Sequence, residues 1–237
     1  MTYKKKVVVI GGGTAGLTIA NNLKDHFEVV VIEKSEYQEY PNWYRIPLMI
    51  GLLFRRKKLK YMSKRDLLMP DGRHIPFFES NVLGGASVIN GCVHMVGSKT
   101  AWLTILNKFD TNYENLIDSY KSIYSVNLKN KSKITLSSSY QNIIDRAFIK
   151  TLNLFGIPKG DSNYSDIESC GPIYNTVRRF FRTSVLSIIN KNNFTCSINE
   201  SVDELLFNGS KIVGAVSYTH LRAHETPEHL VCRLLLE

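Results

Sequence analysis

A glycine-rich turn between an apolar strand and a helix, close to the start of the chain, constrains the fold more than any other feature. The strand predicted at Lys6–Ile10 is rich in β-branched residues and is bounded by glycines, which is typical of a buried parallel strand. The segment after the turn has an apolar face that predicts a helix ending near residues 24–26. A second apolar run, Val29–Ile32, predicts another buried strand. This order predicts a β-α-β unit.

The glycines of the turn have the spacing of a dinucleotide-binding fingerprint, Gly11-x-Gly13-x-x-Gly16. The first permits the tight turn, the second lets the backbone approach a pyrophosphate, and the third lets helix and strand pack closely. The helix amino terminus, with Thr14 and Ala15, favours the phosphate charge.

Glu33 ends the second strand, where an acidic side chain accepts hydrogen bonds from ribose hydroxyls and disfavours a 2′-phosphate. The pattern therefore predicts an adenine-dinucleotide site for FAD or NAD. A purely structural turn is the alternative.

A second glycine-rich run, ESNVLGGASVING at residues 79–91, bears on the choice between the two nucleotides. It resembles the first signature of the glucose-methanol-choline oxidoreductases, and the resemblance implies FAD. It also implies that the Gly-Gly pair passes close to the flavin and its diphosphate, and that the Asn-Gly step lies near the isoalloxazine. Small residues give the backbone access, and an amide side chain can bond the polar edge of the ring. The cofactor-binding residues implied here are Gly84, Gly85, Ala86, Ser87, Asn90, Gly91 and Val93.

The run also departs from the family pattern. Ser80 stands where the family prefers Gly or Ala, and Ala86 stands where Gly, Ser or Thr is usual. One hydroxyl contact is therefore expected to be missing, and Ser87 is expected to replace it in part.

Later segments follow the order of the same family. The resemblance implies that Val202 packs beside the adenine, and that His94, at a position where the family often has Tyr, is a packed aromatic ring rather than a base. The matching segments are Trp102 with the helix at 109–120, Gly156-Ile157-Pro158 with Asp161, Asn163 and Gly171, Arg178–Ser184, and Asn193–Gly214.

The expected fold class is α/β, a Rossmann-like FAD-binding domain with a parallel sheet, helices and an additional β-hairpin. We expect this domain at 1–214, with an irregular cover loop at 35–78 and a helical insertion at 102–155. Within these bounds the patterns predict helices and strands beyond the first unit. The helices are Trp102–Tyr124, Ile143–Phe155 and Arg178–Ile189; the strands are 194–198, 202–207 and 212–213, with a turn at Asn208-Gly209.

The segment 215–237 is predicted to be non-native. Residues 216–226, VSYTHLRAHET, and 230–237, LVCRLLLE, match the translation of a transposase-type sequencing-library adapter. Native sequence is thus expected to end near Gly214. His220, His224, His229 and Cys232 then have no functional meaning. The alternative is a real carboxy-terminal helix.

By resemblance, the complete enzyme oxidises a small-molecule alcohol to an aldehyde or ketone, with hydride transfer to flavin N5. The catalytic His of the family lies beyond Gly214, so we expect no catalytic residue in this fragment and little activity from it alone. The electron acceptor is left open among oxygen, a quinone and a protein. A flavin-dependent halogenase or hydroxylase, and a non-catalytic nucleotide-binding protein, are the alternatives.

Composition restricts the partners. Thirty Lys and Arg against 21 Asp and Glu give a net charge of +9, but the lysines are scattered, so we expect no nucleic-acid partner. The four cysteines form no metal-binding pattern and no metal is expected, while reduced thiols fit a cytoplasmic protein. The apolar run at 46–54 is too short to cross a bilayer, so no transmembrane segment is expected.

Overall fold

The computed structural model describes residues 4–49, 51, 62–126, 133–138, 142–160, 168–190, 193–219 and 232–235. The helices in these ranges are α1 (Thr14–Leu23), α2 (Lys99–Leu106), α3 (Tyr113–Ile123) and α4 (Ile143–Leu154). Short 3-10 helices lie at Asn42–Arg45, Pro47–Met49, Gly85–Val88 and Val185–Ser187. The strands are β1 (Lys6–Ile10), β2 (Glu28–Glu33), β3 (Met62–Leu68), β4 (His74–Ser80), β5 (Val93–His94), β6 (Tyr124–Ser125), β7 (Ile134–Thr135), β8 (Ser137–Ser138), β9 (Tyr174–Asn175), β10 (Val177–Arg178), β11 (Phe181–Arg182), β12 (Thr195–Ile198), β13 (Glu200–Asn208), β14 (Lys211–Thr219) and β15 (Cys232–Leu235).

The chain divides into two compact units, the first formed by residues 1–89 and 184–237 and the second by residues 90–183. A parallel sheet in the order β1-β2-β12 organises the first unit. Its register sets Val8 opposite Val30, and Ile198 opposite Glu33. Since β2 is paired on both sides, its residues after Glu28 are all buried. The predicted α/β class with a parallel sheet is confirmed.

Helix α1 packs against this sheet through one face. Leu17 and Ala20, three residues apart, are completely buried, and they lie in one apolar cluster with Val29 and Val31 of the central strand. Burying a side chain the size of Leu17 contributes about 2 kcal/mol, so this face holds the helix in place. The helix begins directly after the glycine turn, and its amino terminus therefore lies at the carboxyl edge of the sheet.

Antiparallel strands complete the first unit. The predicted hairpin around Asn208-Gly209 is present but longer than expected, because β13 and β14 pair from Asn208 and Lys211 back to Glu200 and Thr219. The segment 35–78, predicted to be irregular, contains β3 and most of β4, which form a second hairpin. The prediction of an irregular segment was wrong, because β4 is an outer strand of a two-stranded sheet and tolerates Pro76 within it.

The sheet of β13 and β14 extends past Gly214. Strand β14 continues to Thr219, and β15 pairs with its residues 214–217. Backbone pairing does not depend on the origin of the residues, so the adapter-like nature of 215–237 stays a prediction.

The second unit contains α2, α3 and α4 with short strands. The predicted helix at 102–124 is two helices, because the Asn112 side chain accepts a hydrogen bond from the Asn115 N–H at 2.8 Å and starts a new helix there. The helix predicted at Ile143–Phe155 is confirmed as α4, which starts with a capping box at Asn142 and ends before Gly156.

The helix predicted at Arg178–Ile189 is wrong. Strands β10 and β11 form a hairpin there, Val177 is paired with Arg182, and the Thr183 N–H donates to the Thr176 carbonyl at 2.8 Å. Arg179 occupies the left-handed region at φ 58°, which ends any helix. Only the short turn Val185–Ser187 is helical.

Some sequence predictions fall outside the described residues: Asp161 and Asn163 of the family-like segment, and the three histidines of the tail. Within the described ranges, none of the helices combines the length and hydrophobicity that a membrane span requires.

Substitution of Gly16 and of Gly13 by alanine is expected to lower the stability of the protein to different extents. A Cβ at Gly16 would lie 1.9 Å from the Gly11 carbonyl oxygen, whereas a Cβ at Gly13 would meet no atom within 4 Å. Gly16→Ala should therefore lower the free energy of unfolding by about 3 kcal/mol or more, and Gly13→Ala by about 1 kcal/mol, the cost of alanine at a helix cap. Urea denaturation followed by circular dichroism measures both, and equal losses would contradict this packing.

Candidate cofactor-binding site

The two glycine-rich turns, far apart in sequence, meet in the first unit. The Gly84 N–H donates to the Gly12 carbonyl oxygen at 2.8 Å, and a Cβ built on Gly85 would lie 2.8 Å from the Gly13 Cα. Gly84 and Gly85 both have positive φ, at 98° and 59°, which side chains rarely adopt. The two backbones can approach this closely only because Gly85 carries no side chain.

Glu33 ties the first turn to the end of β2. Its carboxylate is buried, with 9% of the residue exposed, and it accepts hydrogen bonds from two backbone N–H groups. The Gly12 N–H bonds Oε2 at 2.5 Å, and the Ser35 N–H bonds Oε1 at 2.8 Å. Each oxygen has two acceptor positions, so the carboxylate keeps capacity for ligand hydroxyls.

Sequence reasoning missed Gly12, which occupies a variable position of the fingerprint. A Cβ there would lie 2.5 Å from Leu83 Cδ1 and 3.1 Å from the Glu33 Cβ. Gly12 thus joins both turns and the carboxylate through its N–H, its carbonyl and its missing side chain. The only signal in the sequence was the run of three consecutive glycines.

The amino terminus of α1 has no side-chain cap. Gly13 is the N-cap residue, no acidic residue lies in the first turn, and Ala15 is exposed. Thr14 directs its hydroxyl to the Gly84 carbonyl at 3.4 Å, which is a second link between the turns. Free N–H groups and the positive end of the helix dipole give this position an affinity for anions.

Two cavities of the first unit adjoin Glu33. The larger has a volume of about 270 Å³ and the smaller about 170 Å³, and both are lined by Glu33 and Lys34. The Lys34 ammonium lies 3.7 Å from the Glu79 carboxylate. Other residues of the larger cavity include Gly13, Phe77, Phe78, Gly85 and Ala86, and those of the smaller include Gly11, Ile32, Glu200, Ser201 and Val202.

The structure uses Ser87 within the protein. Its hydroxyl is buried, donates to the Gly84 carbonyl at 2.8 Å and accepts from the Val185 N–H at 3.3 Å. Since its single proton is engaged by the backbone, the side chain stabilises the Gly84–Gly85 turn. Its predicted contact with a cofactor stays a prediction.

Asn90, Gly91 and Val93 belong to the second unit. The Asn90 side-chain oxygen accepts from the Cys92 N–H at 3.2 Å and from Arg182 Nη1 at 2.9 Å. Gly91 is exposed and Val93 is 54% exposed. Arg182 lies in the family-like segment Arg178–Ser184, but its contact with Asn90 was not predicted. It is 3% exposed and holds the Asn90 side chain and carbonyl. The contact spans 92 residues of sequence, so no local pattern indicates it.

His94 is a packed aromatic ring, as the resemblance implied. It is 8% exposed, and its ring centroid lies 4.4 Å from that of Tyr124 and 6.0 Å from that of Tyr120. Burial lowers the pKa of the imidazole and raises the pKa of the Tyr124 phenol. All three rings are therefore neutral near pH 7, and the cluster packs as an aromatic core.

Comparisons with known proteins give sequence relatives for part of the chain. No family model matches it. Pyranose dehydrogenase 3 of Leucoagaricus meleagris is 34% identical over 99 residues, which are 40% of this chain and 16% of that protein. Pyranose dehydrogenase of Agaricus xanthodermus matches to the same extent. The aligned segment is thus a small part of each relative.

Solved structures share the fold over nearly the whole chain. Pyridoxine 4-oxidase from Mesorbium loti has a TM-score of 0.77 at 16% identity, covering 98% of this chain and 48% of its own. Formate oxidase has a TM-score of 0.69 at 19% identity, covering 93% and 43%. A fungal aryl-alcohol oxidase has a TM-score of 0.62 at 15% identity, covering 100% and 45%. The chain spans less than half the length of each.

The parallel sheet, the joined glycine turns and these likenesses define a Rossmann-like α/β fold, which the chain shares with the solved oxidoreductase structures. The predicted resemblance of the chain to the glucose-methanol-choline oxidoreductases is confirmed by these comparisons.

Acidification should destabilise the second unit through His94. Below about pH 6.5 the unfolded chain binds a proton that the buried imidazole binds less readily, so stability falls as pH falls. His94→Phe keeps an aromatic ring and removes this proton, and the other histidines are unchanged. Urea denaturation at about pH 7.5 and pH 5.5 should show a smaller acid loss for the variant, the difference being at most about 1.4 kcal/mol per pH unit. Equal losses would contradict the burial of a neutral ring.

Proposed function

We propose that the chain is the FAD-binding, amino-terminal part of an FAD-dependent oxidoreductase that acts on the CH–OH group of a small-molecule alcohol. The observation that carries this proposal is the contact between the two glycine turns, Gly12 with Gly84 and Gly13 with Gly85, at the uncapped amino terminus of α1. This geometry exposes backbone N–H groups at the carboxyl edge of a parallel sheet, where dinucleotides bind.

The residues around this contact fit a dinucleotide. The diphosphate of FAD is assigned to the α1 amino terminus with Gly13, Thr14 and Ala15, and to Gly85 and Ala86 across from it. A side chain at Gly85 would occupy the space between the two backbones, so the glycine keeps that approach open. Glu33 is assigned to the ribose hydroxyls, and Gly11 and Gly16 to the turn itself.

The remaining assignments follow the two ends of the cofactor. Val202 lines the smaller cavity with Glu33, which supports its assignment to the adenine. The turn formed by Gly84 and Ser87, and the second-unit residues Asn90, Gly91 and Val93, are assigned to the flavin end. The exposed Gly91 offers a backbone without a side chain, and Arg182 fixes the orientation of the Asn90 amide.

The substrate class rests on the relatives. Pyranose dehydrogenase, pyridoxine 4-oxidase and aryl-alcohol oxidase are named for a sugar or for compounds that bear an alcohol group. FAD, when bound, supplies the acceptor for the hydride that leaves the alcohol carbon. No residue of this chain is assigned as the base that removes the hydroxyl proton, and that residue is proposed to lie outside these 237 residues. The acceptor that reoxidises the flavin is oxygen, a quinone or a protein.

The domain assignment is part of the same proposal. Residues 1–214 form the FAD-binding domain, and 215–237 are a non-native tail. We also propose a cytoplasmic location, which is supported by the unbridged thiols of Cys92 and Cys170.

Titration of the purified chain with FAD, followed by flavin fluorescence, tests the cofactor assignment. We expect saturable but weak binding and poor retention on gel filtration, because the chain spans less than half the length of the solved structures that it resembles. Gly13→Val should weaken binding about tenfold or more, since a branched side chain would stand between the helix amino terminus and the diphosphate. Ala147→Val, the same kind of change at an exposed position of α4, is the matched control. Absence of binding by the unsubstituted chain would contradict the proposal.

Turnover tests the fragment assignment. The chain loaded with FAD should show no alcohol-dependent reduction of a redox dye above background, because its acid-base residue is absent. Robust turnover by the chain alone would overturn the view that catalysis needs residues outside it. A read of the flanking genomic DNA is the second measurement, and a downstream pair of histidines in the same frame is the expected result.

A further inference from the structure

A second buried acidic residue lines the smaller cavity together with Glu33. Glu200 is 7% exposed and is the first residue of β13. It lines this cavity of about 170 Å³ together with Glu33, Gly11 and Val202. A volume of this size is on the scale of one nucleobase, not of a whole dinucleotide. The sequence motifs did not predict a role for Glu200, because it lies outside both glycine-rich runs.

The sheet register brings the two carboxylates to the same cavity. Ile198, the last residue of β12, is paired with Glu33, and Glu200 follows it by two residues. Asn199, which separates Ile198 from Glu200 in the sequence, has a left-handed conformation at φ 58°. Its N–H donates to the Ser35 carbonyl at 2.9 Å. Ser35 in turn bonds the Glu33 carboxylate through its own N–H. A continuous backbone connection therefore fixes the position of Glu200 relative to Glu33.

Glu200 is held in place and keeps the capacity to bind a donor. Oε2 accepts a hydrogen bond from the Ser197 hydroxyl, and Oε1 accepts one from the Ser217 hydroxyl. Each oxygen has a second acceptor position, and a buried carboxylate forms strong hydrogen bonds with a donor placed beside it. Ser217 belongs to the segment predicted to be non-native, and so does Thr219, which is paired with Glu200. The inference therefore rests on Ser197, on the register with β2 and on the cavity, and not on the burial of Glu200.

We propose that Glu200 is a specificity residue for the base, and that its carboxylate accepts a hydrogen bond from the exocyclic amino group of adenine. This inference rests on the proposed function, since it assumes that the adenosine half of a dinucleotide occupies the smaller cavity. Glu200 takes no part in hydride transfer, and it selects a base that presents a donor at this end of the site.

The arrangement of the cavities favours the base over the ribose as the partner of Glu200. The larger cavity is lined by Gly13 and Gly85, where the diphosphate is assigned, and Glu33 lines both cavities. Along a bound nucleotide the order is diphosphate, ribose, base. With the ribose at Glu33, the part of the ligand beyond it is the base, and Glu200 lines the cavity on that side.

The test compares two nucleotides that differ only in the amino group. Isothermal titration calorimetry measures the affinity of the full 237-residue chain for ADP and for purine riboside 5′-diphosphate, which has hydrogen in place of that group. ADP lacks the flavin half, so the residues assigned to the flavin do not affect the comparison. A hydrogen bond to a carboxylate supports a preference for ADP of about tenfold.

Variants of Glu200 separate recognition from folding. Glu200→Ala should reduce the ratio of the affinity for ADP to that for purine riboside 5′-diphosphate to about one. Glu200→Gln, which retains a neutral acceptor oxygen, should reduce this ratio to about three. Removing a negative charge raises the affinity for both anionic nucleotides, but the ratio cancels this effect. Glu204→Gln removes the same charge at an exposed position of β13 and should keep the tenfold ratio. The glutamine variant keeps a partner for Ser197 if the alanine variant fails to fold.

The outcomes distinguish this inference from the proposed function. Equal affinity of the unsubstituted chain for the two nucleotides would overturn the role of Glu200 and leave the dinucleotide site standing. The role of Glu200 is also overturned if Glu200→Ala or Glu200→Gln retains the full preference for ADP while its stability falls, because Glu200 would then only support the strands. Failure of the unsubstituted chain to bind either nucleotide would remove the proposed function and this inference with it.

Discussion

The hydrogen bonds of the Glu33 carboxylate are the interaction on which the rest of the site depends. A carboxylate with 9% exposure carries a desolvation cost that is met here by two backbone N–H donors, those of Gly12 and Ser35. One donor belongs to the turn after β1 and the other to the turn after β2. The same group therefore sets the relative position of both turns, and the helix amino terminus follows directly from the first of them.

The second glycine run depends on this arrangement. The Gly12 N–H bonds Glu33, and its carbonyl accepts the Gly84 N–H, so both faces of one peptide segment are engaged. Gly85 can then lie against Gly13 only without a side chain. Backbone polar groups in a buried turn must find partners, and here the two glycine runs supply them to each other. The absence of side chains at these glycines thus both stabilises the paired turns and leaves space for a ligand beside them.

Local periodicity was sufficient for the first β-α-β unit, because each of its elements buries one continuous apolar face or run. Prediction from local periodicity failed where contacts between residues distant in sequence determine the secondary structure. The spacing of Val185, Leu186 and Ile189 suits a helix, yet Thr176 and Thr183 pair across a hairpin, and the chain after Ser184 packs with the first unit. The contacts of Glu200 and Arg182 were not predicted for a related reason: a buried charged residue is identified by its partners, and the partners of Arg182 lie 92 residues away.

The residues assigned to the two ends of the cofactor are distributed unevenly between the two units. Every residue assigned to the diphosphate, ribose and base lies in the first unit, on or beside the parallel sheet, whereas Asn90, Gly91 and Val93 lie in the second. The residues that line the smaller cavity, among them Glu33, Glu200 and Val202, all belong to the first unit. Under the proposed assignment, recognition of the adenosine half therefore needs only the sheet and its turns. An adenosine nucleotide then tests the first unit without the residues assigned to the flavin in the second.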